Sequence, residues 1–383
     1  MAQVQGKCDP RFEELRTLLQ RFVESGEELG ASIAVNHDGQ DVVDIWGGYM
    51  DEGRTRPWQK DTIVSLWSTT KTVTSLATLM LVDRGLLDVD EKVSKYWPEF
   101  ATNGKQDVRV RHFLSHTSGV SGWDDRMTIE DVCDFEKATA KLAGQAPWWT
   151  PGTASGYHAW TMGHLLGELV RRTTGRTLKQ FVAEEIAGPL DADFQIGAME
   201  KDWSRVANLV PPPTPATPPK FEPDSVAART MANPVPDGSF ANTAIWRRAE
   251  LGAANGHGNA RAVVRMLSAI TLGGEVDGRR LLSPNTINLI FKEQAKGIDL
   301  AVGIPIRFGI GYGLTGDGDT IVDDWLPSGR VCFWGGWGGS IIIMDLDRRV
   351  TISYVMDKMS NVGLGNVAAK TYVKAIYRAL GVV

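Results

Sequence analysis

The chain has 383 residues, 43% hydrophobic and 23% charged, a composition that supports a packed core and shows no skew towards disorder. Its net charge of -5 and pI near 5.8 give no electrostatic ground for expecting nucleic acid or an anionic membrane as a partner. The length suits one large domain or two of ordinary size.

The opening residues, MAQVQGKCDP, hold no apolar run of the kind a secretory signal needs. Cys8, Cys133 and Cys332 form an odd set without a Cys-x-x-Cys spacing, so reduced thiols in a cytoplasmic protein are expected. Asp9-Pro10 reads as a helix N-cap with proline in the first turn. Phe12, Leu15, Leu18, Leu19, Phe22 and Val23 then recur at helical spacing. ASIAV and DVVDIW flank NHDGQ, a hairpin around an Asp-Gly turn. Near the other end SIIIMD and VTISYVM flank LDRR as a second hairpin, and residues 362–380 return to a helical pattern. The fold class expected is α+β: an antiparallel sheet flanked by N- and C-terminal helices.

Between these ends, from about 67 to 251, the pattern is mostly helical. VPPPTPATPPK, at 210–220, has too many prolines for regular structure and reads as a solvated crossing loop in preference to a polyproline ligand. The helical middle therefore looks inserted into the sheet. The expected division is a sheet domain of residues 1–66 and 252–383, a helical domain of 67–251, and a site at their junction. The apolar run at 76–82 is far too short to span a bilayer, so no membrane partner is expected.

Within SLWSTTKTVT, Ser68 and Lys71 form the only Ser-x-x-Lys of the chain. The pattern predicts a helix over 67–84, closed by Gly85 and apolar on most faces. Residues three apart share a helix face, so the amine can sit beside the hydroxyl. Burial and the helix N-terminus both disfavour the cation, which would leave a lysine able to activate the serine. Ser68 as an ordinary N-terminal helix residue and Lys71 snorkelling to solvent fit the tetrad equally well.

The segments that follow point one way. GLLDVDEKVSKYWPEF, VRVRHFLSHTSGVSGW and PGTASGYHAWTMGHLLGELVRRTTG resemble, in that order, the serine β-lactamase and penicillin-binding-protein superfamily, nearest to class C β-lactamases and family VIII carboxylesterases. The likeness runs from roughly residue 10 to 380 and implies a β-lactamase/transpeptidase-like fold. It implies that Ser68 is acylated, and that Lys71 and Tyr157 form the base system, the lysine drawing the phenol towards general-base range. Trp334, Gly335 and Gly336 match the family's substrate-binding strand, and the amides of Ser68 and Trp337 its oxyanion hole. No cofactor or metal is implied. His112 and His116 stand four apart as zinc ligands can, but without a third ligand, and LSHTSG has a structural role in the superfamily.

Two departures steer the substrate expectation. Trp334 stands where lysine or histidine would hold a penicillin or D-alanine carboxylate, as it does in the esterase branch. Ala159 replaces the asparagine of Tyr-x-Asn, which would bond a substrate peptide group. Both changes favour neutral esters over lactams and peptides. Weak β-lactamase or DD-peptidase activity, acyl transfer through the same intermediate and a non-catalytic scaffold are the rival readings. The tryptophans of APWWTPG, SGWDD, TAIWRR and DDWLPSG either line an apolar pocket near the cleft or belong to the core. NGHGNA, which resembles a family loop near the active site, is read as a turn. No Gly-x-Ser-x-Gly elbow is present.

Overall fold

The computed structural model describes residues 3–215 and 220–382, so part of the proline-rich stretch lies outside the described residues. Asp9 caps the first helix as expected, its side chain accepting from the Arg11 amide. The helix Glu13–Ser25 then buries Leu15, Leu18, Leu19, Phe22 and Val23 and stops at Gly26, whose φ of 79° suits glycine. In the hairpin of strands Gly30–His37 and Gln40–Gly48, Asp38 and Gly39 both have positive φ, 51° and 81°, matching the twist that tight hairpins require.

The two hairpins meet in one antiparallel sheet. Gly30–His37 pairs with Val350–Met356, which pairs with Ile341–Asp345, so the chain's two ends share a core. Nine strands make up this sheet. Four of them leave little alternating signal and extend it beyond the expected hairpins. Gln5–Cys8 forms one edge beside Gln40–Gly48, and Gly313–Leu314, Pro305–Phe308 and Ala295–Ile298 follow Val331–Gly335 to the other. The last helix, Val367–Ala379, starts later than the pattern suggests, because Asn366 caps it by accepting from the Ala369 amide. Phe22 and Tyr372 join the terminal helices edge to face.

Behind the sheet, Ala260–Thr271 packs on Gly30–His37 and Val350–Met356. The helix expected at 67–84 forms as a short 3-10 turn, Trp67–Thr69, leading into Thr70–Asp83. All but its last two residues are buried. Its hydroxyls are satisfied by collecting neighbouring loops: Thr74 Oγ1 donates to Gly252 O at 2.6 Å, and Ser75 Oγ to Gly311 O at 2.8 Å. NGHGNA is not merely a turn. Gly256–Gly258 is the central strand of a small sheet between Val64–Ser65 and Phe194–Ile196, and Asn259 caps the helix that follows. No helix among the described residues is long and apolar enough to cross a membrane.

Candidate active site

Ser68 is half-buried at the start of the buried helix, one residue after Trp67. Trp67 has a φ of 47°, left-handed and costly for a bulky side chain, on the order of 1–3 kcal/mol. The bend turns the chain sharply from the strand Val64–Ser65 into the helix, and the strain sits directly against the serine.

Lys71 is 2% exposed. Its Nζ lies 3.0 Å from Ser68 Oγ, 2.8 Å from Ala159 O and 2.9 Å from Ala253 O. Both carbonyls come from other segments, and packing brings them there. At Gly163, on the helix Thr161–Thr174, a Cβ would lie 2.3 Å from the Ala253 amide nitrogen, so only glycine lets this helix press against the 252–253 turn. Burial holds the Lys71 amine well below its ordinary value.

Tyr157 faces the same pair. Its ring centroid is 4.8 Å from Lys71 Nζ, its hydroxyl accepts from Trp334 Nε1 at 3.2 Å, and Ser68 is among the groups that draw the phenol down. Burial pushes the phenol up, opposite to the shift expected beside a lysine. The reason is electrostatic: a lysine driven towards its neutral form supplies no cation to favour a phenolate. The GYHA turn is held by LSHTSG. His116 Nδ1 accepts from the His158 amide at 3.1 Å, His116 O accepts from the Gly156 amide at 2.9 Å, and Ser118 Oγ bonds His158 Nε2 at 2.6 Å. His112 Nδ1 instead accepts from the Arg109 amide at the start of its own helix. Among the described residues no cluster of three or more His, Cys, Asp or Glu side chains could hold a metal.

Trp334 and Gly335 end the strand Val331–Gly335, and Gly336 follows it. A Cβ at Gly336 would stand 2.2 Å from Leu66 O and 2.4 Å from Ser340 Oγ, so the strand end lies hard against the chain entering the serine turn. Ser340 Oγ pins this approach through Thr69 Oγ1 at 3.0 Å and Leu66 O at 3.1 Å. Beyond Gly336 the backbone amide of Trp337 has no backbone partner among the described residues. The Trp334 ring stacks among Tyr157, Phe308 and Phe333, so an apolar plate with one N–H occupies this position.

Of the four tryptophan-rich segments, TAIWRR brings its indole beside the serine turn, and Trp149 of APWWTPG packs edge-on against His158 next to Tyr157, 6.2 Å between ring centroids. Trp246, Trp67, Trp160 and half-buried Trp337 form one cluster, with Trp67 4.9 Å from Trp246 and 5.0 Å from Trp337 between ring centroids. Trp123 is core against His164, Trp148 packs under Arg229 and Trp325 under Lys370. Trp149 is tied to Ala154 O through its indole. Trp67, Trp160 and Trp246 are buried in the core, at 4%, 4% and 0% exposure, so this cluster packs beneath Ser68 and does not line an open pocket. Ala253 the sequence reading could not find, because a carbonyl contact leaves no side-chain signature.

Fold and site together define a β-lactamase-like protein, a mixed helix and antiparallel-sheet architecture with serine, lysine and tyrosine gathered at the start of one buried helix. Residues 15–375 match the Beta-lactamase family model, and the chain belongs to that family. The esterase/beta-lactamase LipL of Mycobacterium tuberculosis is 34% identical over 321 residues, 81% of this chain and 74% of that protein. A family VIII carboxylesterase of known structure superimposes with a TM-score of 0.91 at 35% identity, covering 98% of this chain and 99% of its own. A penicillin-binding-protein homologue from Caulobacter crescentus gives a TM-score of 0.91 at 36% identity, with the same coverage.

Proposed function

We propose that the protein is a serine carboxylesterase that cleaves small neutral esters through an acyl-serine intermediate. The observation that carries this reading is a buried Lys71 amine with Ser68 Oγ 3.0 Å from its Nζ. Two carbonyls, Ala159 O and Ala253 O, accept from it. An ammonium would donate to all three oxygens; a neutral amine has two N–H groups for the carbonyls and one lone pair able to receive the Ser68 proton. An ammonium would have no lone pair. Burial favours the neutral form, so the serine has a base at bonding distance.

In this reading Lys71 takes the Ser68 proton as Oγ attacks the ester carbonyl. The amides of Ser68 and Trp337 hold the resulting oxyanion. Tyr157, kept protonated by burial, hands its proton to the departing alcohol, and the Lys71 ammonium restores it. Water then repeats the sequence on the acyl-enzyme and releases the acid. Esters are favoured over lactams because Trp334 supplies no cation for a carboxylate and Ala159 contributes only its carbonyl, already engaged by Lys71. The names of the relatives, an esterase and a carboxylesterase, agree with this choice.

In this reading the site lies between a sheet unit, 1–66 with 252–383, and a helical unit, 67–251, a division that the pairing of Gly30–His37 with Val350–Met356 supports. A cytoplasmic setting fits three free cysteines, with the Cys8 and Cys133 thiols pushed up to about 11 and about 12 by burial and so poorly suited to nucleophilic work. The deciding experiment is Ser68→Ala with a short p-nitrophenyl ester, alongside intact mass after fluorophosphonate treatment. Loss of turnover and of the adduct is expected; turnover near wild type would falsify the assignment.

A further inference from the structure

Asp299 is not part of any motif in the sequence, yet it is 1% exposed and reaches the site. It lies in the loop joining the edge strands Ala295–Ile298 and Pro305–Phe308. Its Oδ1 accepts three backbone amides: Ala301 at 2.9 Å, Val302 at 3.1 Å and Tyr157 at 2.9 Å. The first two close the loop on itself and would suffice to hold it. The third comes from 142 positions away and ties down Tyr157, whose ring faces Lys71 Nζ and whose hydroxyl bonds Trp334. A parallel bond from the Leu300 amide to Ser155 O at 2.8 Å makes the tether two-pointed. Asp299 Oδ2, meanwhile, is buried with no hydrogen-bond partner. An asparagine could accept the same three amides, so the amide bonds alone do not account for a buried carboxylate with an unpaired oxygen.

We propose that Asp299 is a positioning residue of the ester-cleaving site: it fixes Tyr157 through the backbone amide and keeps a carboxylate behind the phenol. The inference rests on the esterase reading for its kinetic consequence only. The titratable groups facing Tyr157 are Lys71, His116, His158 and Asp299. Burial drives Lys71 and His116 well below their ordinary values and His158 down to about 3, so none of these three offers a positive charge to the phenol. Asp299 repels a phenolate and so helps retain the proton that Tyr157 gives to the leaving alcohol.

The test compares Asp299→Ala, which loses both the acceptor and the charge, with Asp299→Asn, which keeps the acceptor. Amide hydrogen exchange at Tyr157, kcat and KM for a short p-nitrophenyl ester, and the pH profile are measured for each, with thermal unfolding as the check on folding. In Asp299→Ala the Tyr157 amide should exchange faster, and kcat should fall about a hundredfold with KM little changed, as small misplacements of a reacting group do. In Asp299→Asn the amide should stay protected, the kcat loss should be nearer tenfold, and the alkaline limb should move to lower pH as the phenol loses its repelling neighbour. Wild-type kcat in Asp299→Ala, or equal losses in both variants with an unshifted pH profile, would overturn the proposal. If the wild type shows no Ser68-dependent turnover, the esterase reading fails separately, and Tyr157 exchange still decides: unchanged exchange in Asp299→Ala overturns the tether, faster exchange supports it.

Discussion

Replacing Lys71 separates a base from a mere positive charge. Lys71→Met keeps the side chain's length and apolar stem but removes the amine nitrogen that lies 3.0 Å from Ser68 Oγ. Lys71→Arg keeps a cation that cannot be deprotonated at any working pH. If the amine acts as general base, both variants lose about 10²–10⁴-fold in acylation rate, or about 3–5 kcal/mol of barrier at 1.36 kcal/mol per tenfold. If it acts as a cation steering substrate, Lys71→Arg keeps most of the rate and only Lys71→Met fails. The assay is single-turnover acylation by a p-nitrophenyl ester, followed across pH. Wild-type rate should rise with pH through the depressed lysine value and then level, since that value lies well below the ordinary 10.5. Stability gives an independent sign. A lysine depressed in the folded state binds its proton more readily when unfolded, so stability rises with pH from the folded value up to about 10.5. Lys71→Met should lack that slope. An arginine variant within tenfold of wild type, or a methionine variant with an unchanged stability slope, would refute the base assignment.

Gly336→Ala places a Cβ 2.2 Å from Leu66 O, so the turn carrying the Trp337 amide must move. Turnover should fall about 10²–10³-fold, the loss typical of one missing oxyanion donor, and steady-state kinetics should show it mainly in kcat. Trp334→Phe keeps the apolar plate and deletes the N–H that bonds Tyr157 at 3.2 Å; an ester kcat reduced about two- to tenfold is expected from one ordinary hydrogen bond. With wild type, a chromogenic cephalosporin should turn over far more slowly than a short ester, and comparable rates would undo the substrate argument. Away from the site, Glu28 is buried and its carboxyl is pushed up to about 8 by desolvation, against the bonds from Tyr354 and Tyr372. The folded state then holds a proton that the unfolded chain releases near 4.5, so this group's stabilising contribution is present in acid and declines between about 4.5 and 8. Denaturant titrations of Glu28→Gln should show a shallower fall over that window, by an amount on the order of a few kcal/mol.

What the sequence made legible divides along physical lines. Periodicity reports burial of side chains, so the helix carrying Leu15, Leu19 and Phe22 and the two hairpins at the chain ends were readable. Edge strands such as Gln5–Cys8 and Ala295–Ile298 expose most of their side chains and are held by backbone pairing, which no alternation records. The site splits in the same way. Ser68, Lys71 and Tyr157 were legible because their side chains meet at the head of one helix and sit in recognisable segments. Ala253 O, the Gly163 contact and Asp299 were not, because two act through the backbone and the third is one aspartate in an unremarkable loop.

The same distinction explains why the two departures from the family pattern leave the core of the site undisturbed. At position 159 the contact that matters to Lys71 is a carbonyl, which alanine presents as well as asparagine. What alanine removes is an amide directed at substrate, and nothing in the bonding of Lys71 or Ser68 depends on it. At position 334 the replacement has more reach. The indole both removes a cation from the substrate's side and donates to Tyr157 Oη, occupying a lone pair that would otherwise be free to receive a proton. A donor on that oxygen and burial around it act in opposite directions on the phenol, and burial, the larger of the two, keeps it protonated. In the proposed mechanism the proton-accepting work therefore falls to Lys71, held by its two carbonyl partners. On the proposed mechanism Trp334 bears on substrate preference, and burial around Tyr157 on the division of labour between amine and phenol, so exchanging Trp334 for a cation should shift substrate preference first.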